Sequence, residues 1–176
     1  MPGTAVFTMK SLSCAVLVYA SVALACVPAN GALATAVFPF GFDDTSLQGQ
    51  EQGPQVAQQQ RLRALGIQLR DLLVQSGCCV LVDVSPVAAQ SAGVDPWNCN
   101  ACDVDLARAV NARISVTGWV QKVSNLILNI TLVAHDVATG RVIEAGSVDI
   151  RGNTDESWSR GLAYLLHKRL HPAEWR

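Results

Sequence analysis

The chain is short of charge and of aromatic rings: 15% of its 176 residues are Asp, Glu, Lys or Arg, and 6% are Phe, Trp or Tyr. With 13 basic against 14 acidic residues, it has no cationic excess to hold a phosphate backbone. The scarcity of rings argues against a base-stacking platform, so nucleic acid is not an expected partner. The short motifs of common catalysis are missing too. No serine stands in a G-x-S-x-G turn, and no glycine-rich loop of the phosphate-cradling kind occurs. What is abundant is apolar: half the residues are hydrophobic, which supplies a packed core and argues against global disorder. The length fits one domain plus a leader.

Residues 1–34 read as a secretory signal peptide. Lys10 is its positive region and Leu12 to Ala25 its apolar stretch, too short for a stable membrane span. Pro28, Asn30 and Gly31 break it, and Ala32-Leu33-Ala34 has the small-x-small form of a cleavage site, which predicts processing after Ala34. Met9 is an alternative start to Met1. The rival reading is a lipid anchor on Cys26, preceded by Ala23-Leu24-Ala25. Either way the protein is expected in the periplasm, without an integral membrane span once the leader is gone.

Residues 35–176 then form a single mixed α/β domain. Its centre is three Val/Ile/Thr-rich runs, Ile114 to Val123, Leu126 to His135 and Arg141 to Ile150, with alternating polar and apolar positions. Ser124-Asn125 and Asp136 to Gly140 join them, which predicts an antiparallel meander. Upstream, Ala36 to Phe42 predicts a first strand, in which Pro39 requires an edge or a bulge. Asp43-Asp44-Thr45-Ser46 ends it, as turn and capping residues or as a cation site. Leu47 to Gln60 is Gln- and Gly-rich and predicts a flexible loop.

A helix over 55–75 carries a leucine stripe and stops at Gly77. Cys78 to Val84 is almost wholly apolar and predicts a central strand. Ser85-Pro86 starts a short helix, Asp103 caps another over 104–111, and Asn153 with Glu156 has the spacing of a capping box for the last helix, which Pro172 ends. A strand–helix–strand crossover makes the first two strands parallel. The expected fold class is therefore α/β (α+β): a mixed five-stranded sheet ending in the three-strand meander, with helices packed on it.

Four cysteines remain after the leader: Cys78, Cys79, Cys99 and Cys102. They allow three pairings, one joining Cys99 to Cys102 and others tying the Trp97 loop to the second strand. Cys99-Asn100-Ala101-Cys102 stands before a helix, where a thiol pKa falls, so a thiol-redox role is an alternative to structural bridging. An oxidising compartment favours the bridge. His167 and His171, four apart, are weak metal candidates, with Cys99 and Cys102 as possible co-ligands, against simple helix-end cations. No cofactor is expected. Trp119, Trp158 and Trp175 read as packing residues.

The order of signals resembles known exported families. Phe42-Asp43-Asp44-Thr45-Ser46, Gly77 to Asp83, Val116-Thr117-Gly118 and Asp136 with Thr139-Gly140 look like the curli-secretion lipoprotein family and the N-terminal domain of the Tol-system beta-propeller protein. Ser115 to Leu162 is also similar to a family of small bacterial exported proteins of unknown function. The resemblance implies a periplasmic domain that binds an envelope protein and performs no catalysis. The long membrane-inserting segments of the curli pore have no counterpart, so no pore is implied.

Overall fold

The computed structural model describes residues 31–175. Lys10, Cys26 and most of the expected leader therefore lie outside the described residues. The strands are β1 (Leu33–Val37), β2 (Gly41–Asp44), β3 (Cys79–Leu81), β4 (Ile114–Ser124), β5 (Ile127–Asp136) and β6 (Val142–Ile150). The helices are α1 (Leu47–Gln52), α2 (Val56–Gln75), α3 (Ala88–Val94), α4 (Cys102–Ala109) and α5 (Asp155–Lys168).

The sheet runs β3-β1-β4-β5-β6, with β2 also paired to β4. β1 lies parallel to β3 and β4, and β2 parallel to β4, whereas β4-β5 and β5-β6 are antiparallel. This is the expected mixed sheet with its meander, but with six strands and not five. The run expected as one strand over 36–42 is broken. Pro39 has no N–H to give a ladder, so Phe38-Pro39-Phe40 steps out between β1, which pairs with Ile114 to Val116, and β2, which pairs with Trp119 to Lys122.

One strand shows the two faces directly. Val37 packs into a core with Leu65, Leu69 and Leu73 of α2 and with Trp158, Leu162 and Leu165 of α5. Its neighbours Ala36 and Phe38 point the other way, into a smaller core with Val104, Leu106 and Ala107 of α4. Each fully buried leucine in the larger core contributes roughly 1.5–3 kcal/mol. Glycine sets the spacing at Gly118 and Gly161, among other positions. A Cβ on Gly118 would lie 2.5 Å from Leu132 and 2.7 Å from Phe40, and one on Gly161 of α5 would lie 2.4 Å from Ile150 of β6.

Several local expectations are corrected. β3 is three residues long and at the sheet edge, because the chain turns away after Leu81 into a 3₁₀ turn at Ser85–Val87. The polar stretch after Ser46 is not all loop: α1 forms there, with the Gly49 N–H donating to Ser46 Oγ as the cap. Asp103 is not the cap of α4. Ala101 holds that place at φ +73°, and Asp103 is already helical. The box on α5 is Thr154 with Ser157, one residue beyond Asn153 and Glu156. Asn153 instead accepts from the Trp158 indole at 3.1 Å.

Candidate functional site

The topology creates a natural crevice. From β1 the chain reaches β3 through α2, which packs on one face, and from β3 it passes β1 to β4 through α3 and α4, which belong to the other face. Where connections diverge in this way, a cleft opens beyond the carboxyl ends of the parallel strands. A cavity of about 410 Å³ lies there, with the β1–β2 break as one wall and α3 with the loop after it as the other.

Its walls are aromatic and aliphatic: Phe38, Phe40, Phe42, Val84, Pro96 and Trp97. Trp97 lies directly on the β2 backbone, since a Cβ at Gly41 would fall 2.1 Å from its Nε1. It also stands 5.9 Å from Trp119, ring centre to ring centre. The loop carrying it is held at both ends. Asp95 closes α3 in the left-handed region at φ +46°, and the Cys99–Cys102 disulfide closes the loop onto the first turn of α4. Polar groups at the cavity are Ser91, Asp95 and the Trp97 indole. Beside it, across Val84, Arg70 donates from Nη1 to Gly66 O and from Nη2 to Val37 O, both at 2.9 Å. Burial lowers its pKa from the ordinary guanidinium value.

The other polar clusters are structural. Ser115 Oγ donates to Asp103 Oδ2 at 2.6 Å, and His135 Nδ1 sits 2.8 Å from the same oxygen. Serine, carboxylate and imidazole are thus together, but in the wrong order for a nucleophile. The carboxylate stands between the other two, and Ser115 and Asp103 are sealed from solvent. Lys122 is also fully buried, its Nζ 3.1 Å from both Asp44 Oδ2 and Gln48 Oε1. Burial alone raises the Asp44 pKa, but hydrogen bonds from Ser46 and Lys122 outweigh it and hold the carboxyl below its ordinary value. Asp44 therefore binds Lys122 and Ser46, the ammonium standing where a cation site was conceivable. Asp136 is likewise held low by the Thr139 hydroxyl and N–H in the β5–β6 turn.

The sequence-predicted residues fall as follows. Cys78 is bonded to Cys79 and Cys99 to Cys102, so each pair is internal and the Trp97 loop is not tied to β3. His167 is on the exposed side of α5, whereas His171 lies beyond the end of that helix, where its backbone N–H donates to Glu144. The two do not share a helix face. Among the described residues no group of three or more His, Cys, Asp or Glu is placed to hold a metal. Among the described residues, no helix is long and apolar enough to cross a membrane. Three participants escaped sequence reasoning: Asp103 as partner of His135, Lys122 as a buried cation, and Ser91 in the cavity wall.

Fold and site together define a small α+β domain with a cleft at the strand ends. By its sequence, the chain belongs to the family described as "Protein of unknown function (DUF2380)", whose model matches residues 33–170. No curated protein matches the chain. Among solved structures it is similar to the LpoB C-terminal domain from Salmonella enterica, with 16% identity, 70% of this chain and 86% of that one covered, and a TM-score of 0.50. It is also similar to the PelC dodecamer from Paraburkholderia phytofirmans (16% identity, 84% and 91% covered, TM-score 0.48) and to lipoprotein GNA1162 from Neisseria meningitidis (12%, 70% and 83%, 0.45). At these identities the likeness is one of fold. It indicates no enzyme family, and the expected likeness to the Tol-system propeller domain finds no support.

Proposed function

We propose that this chain is a non-catalytic accessory module of the cell envelope that works by binding another envelope protein. The observation that carries the reading is the division of its polar groups. The sealed carboxylates, the buried lysine and the paired cysteines hold the fold, while the aromatic cleft at the strand ends keeps polar groups free. A cleft with convergent polar groups is a binding site by default, and nothing in it supplies a nucleophile, a base poised on one, or a metal. The Cys99–Cys102 bridge acts in this reading as the staple of the Trp97 loop, in preference to a redox centre.

Export rests on the leader-like composition of the first 34 residues. For the site of processing we propose a position upstream of Leu33, supported by the place of Leu33 and Ala34 in the sheet. Leu33 and Ala34 belong to β1: Leu33 N–H donates to Cys78 O at 2.8 Å, and Ala34 O accepts from Arg113 N–H at 2.6 Å. Cleavage after Ala34 would remove both, whereas processing at Cys26 with lipid attachment leaves β1 whole. We therefore place the mature start upstream of Leu33.

The binding role is tested by placing a photo-crosslinking amino acid at Pro39, exposed on the cleft rim, and at Leu126, exposed on the β4–β5 turn. In the native host, irradiation at position 39 should join the chain to one identifiable envelope protein. Position 126 should not, and Ser91→Leu, which fills the cleft, should abolish the adduct. Equal labelling from both positions, or none from either, sinks the reading.

A further inference from the structure

We infer that the cleft recognises a basic side chain set beside a large apolar one, as on an extended segment of a partner protein. This deepens the reading above and rests on it.

The first ground is an unused hydroxyl. Ser91 is only 6% exposed, yet its Oγ has no hydrogen-bond partner among the described residues, and it lines the cavity. A serine in a helix ordinarily turns its hydroxyl back to a carbonyl of the preceding turn. Here it faces the cleft. The Trp97 indole N–H is the second such group. The fully buried tryptophans donate theirs, Trp158 to Asn153 and Trp175 to Glu144, whereas Trp97 has no acceptor among the described residues. Neither atom is sealed from solvent, so each can exchange water for a polar group of a ligand.

The second ground is the sign of the charge. No lining residue is basic, and Asp95 supplies a carboxylate at the rim. Asp83 lines the adjoining cleft beside Val84, and the hydrogen bonds it accepts from Ser85 lower its pKa. Arg70, in the adjoining cleft, is occupied by two carbonyl oxygens. No cation lines the cleft to hold an anion, and the Asp95 carboxylate opposes one. A guanidinium or ammonium has both a carboxylate and aromatic faces, and the apolar walls take the neighbouring aliphatic or aromatic side chain.

The third ground is rigidity. The left-handed Asp95, the Trp97 ring seated on Gly41 and the Cys99–Cys102 closure fix this wall before any ligand arrives, so little ordering is required on binding.

The test uses the purified chain with β1 intact, labelled with ¹⁵N, and three probes: acetyl-Phe-Arg-amide, acetyl-Phe-Glu-amide and acetyl-Phe-norleucine-amide. The Trp97 indole resonance, identified by its loss in Trp97→Phe, is the readout. The arginine probe should shift it saturably and bind about tenfold more tightly than the glutamate probe, the size of one attraction formed and one repulsion avoided at a partly exposed carboxylate. Asp95 is exposed, so Asp95→Asn leaves the fold alone; it should bring the two affinities together, and Ser91→Leu should abolish the shift. No saturable shift, equal affinities for the basic and acidic probes, or no effect of Asp95→Asn overturns the inference. If the probes fail while the position-39 adduct persists, the ligand class is wrong and the envelope-binding role stands. If the arginine probe binds and no adduct forms, the recognition stands and the envelope-binding role falls.

Discussion

Lys122 occupies a place in β4 where the strand alternation demands an apolar residue, on the same side as Val116 and Val120. It is tolerated because Asp44 and Gln48 meet its ammonium as α1 folds over it. Removing one member of a buried pair leaves the other uncompensated. Lys122→Met is therefore expected to lower the unfolding free energy by about 3 kcal/mol, read from the urea midpoint, and the Asp44→Asn background should shrink that loss. The same carboxylate sets an acid limb. Its folded pKa lies below the ordinary 3.8, so its contribution is complete above that value and disappears as pH falls through the lower folded value. Urea midpoints between pH 7 and pH 2 should fall more steeply in the wild type than in Asp44→Asn. Gln58 is the opposite case: it is buried in α2, and its Oε1 has no partner. Gln58→Met keeps the shape and removes the orphan, and should raise stability by about 1 kcal/mol.

At the scale of the element, the loop between α3 and α4 is the part most dependent on a covalent tie. It places an aromatic wall with few backbone hydrogen bonds of its own, and Cys99–Cys102 closes its last turn. Replacing both cysteines by serine should cost about 2 kcal/mol, from the entropy of a four-residue closure, and should broaden the Trp97 indole resonance while leaving those of Trp158 and Trp175 in place. The α5–β6 packing depends instead on absence of a side chain. Gly161→Ala improves intrinsic helix propensity by nearly 1 kcal/mol, yet its Cβ meets Ile150. Overpacking should win, with a net loss of about 1–2 kcal/mol in thermal or urea unfolding. A rise in stability would mean that α5 sits farther from β6.

For the whole molecule, the sharpest expectation concerns where the chain begins. A chain starting at Thr35 lacks Leu33, which packs on the larger core and pairs with Cys79. It should be less stable than one starting at Gly31 by at least about 1 kcal/mol. Intact mass of the protein from its native envelope should show a start upstream of Leu33, with a lipid-sized increment if Cys26 is the site. A Thr35 start refutes this.

The sequence by itself determined what local periodicity can encode. Alternation along 114–150 defines β4, β5 and β6 almost to the residue, the turn at Asp136 to Gly140 closes as its Asp, Thr and Gly require, and the leucine stripes of α2 and α5 face the core they predict. A mixed sheet covered by helices follows from that order alone. Only the tertiary structure decided the rest, because the deciding partners are far apart in the chain. His135 meets Asp103 thirty-two residues away, and Lys122 meets Asp44 across seventy-eight. Pro39 marks where the stretch over 36–42 breaks, but the room for Phe40 beside β4 comes from Gly118, seventy-eight residues on. The cleft has no residue pattern of its own. It exists because connections leave β1 and β3 on opposite faces of the sheet, and a packing decision of that kind has no period to read.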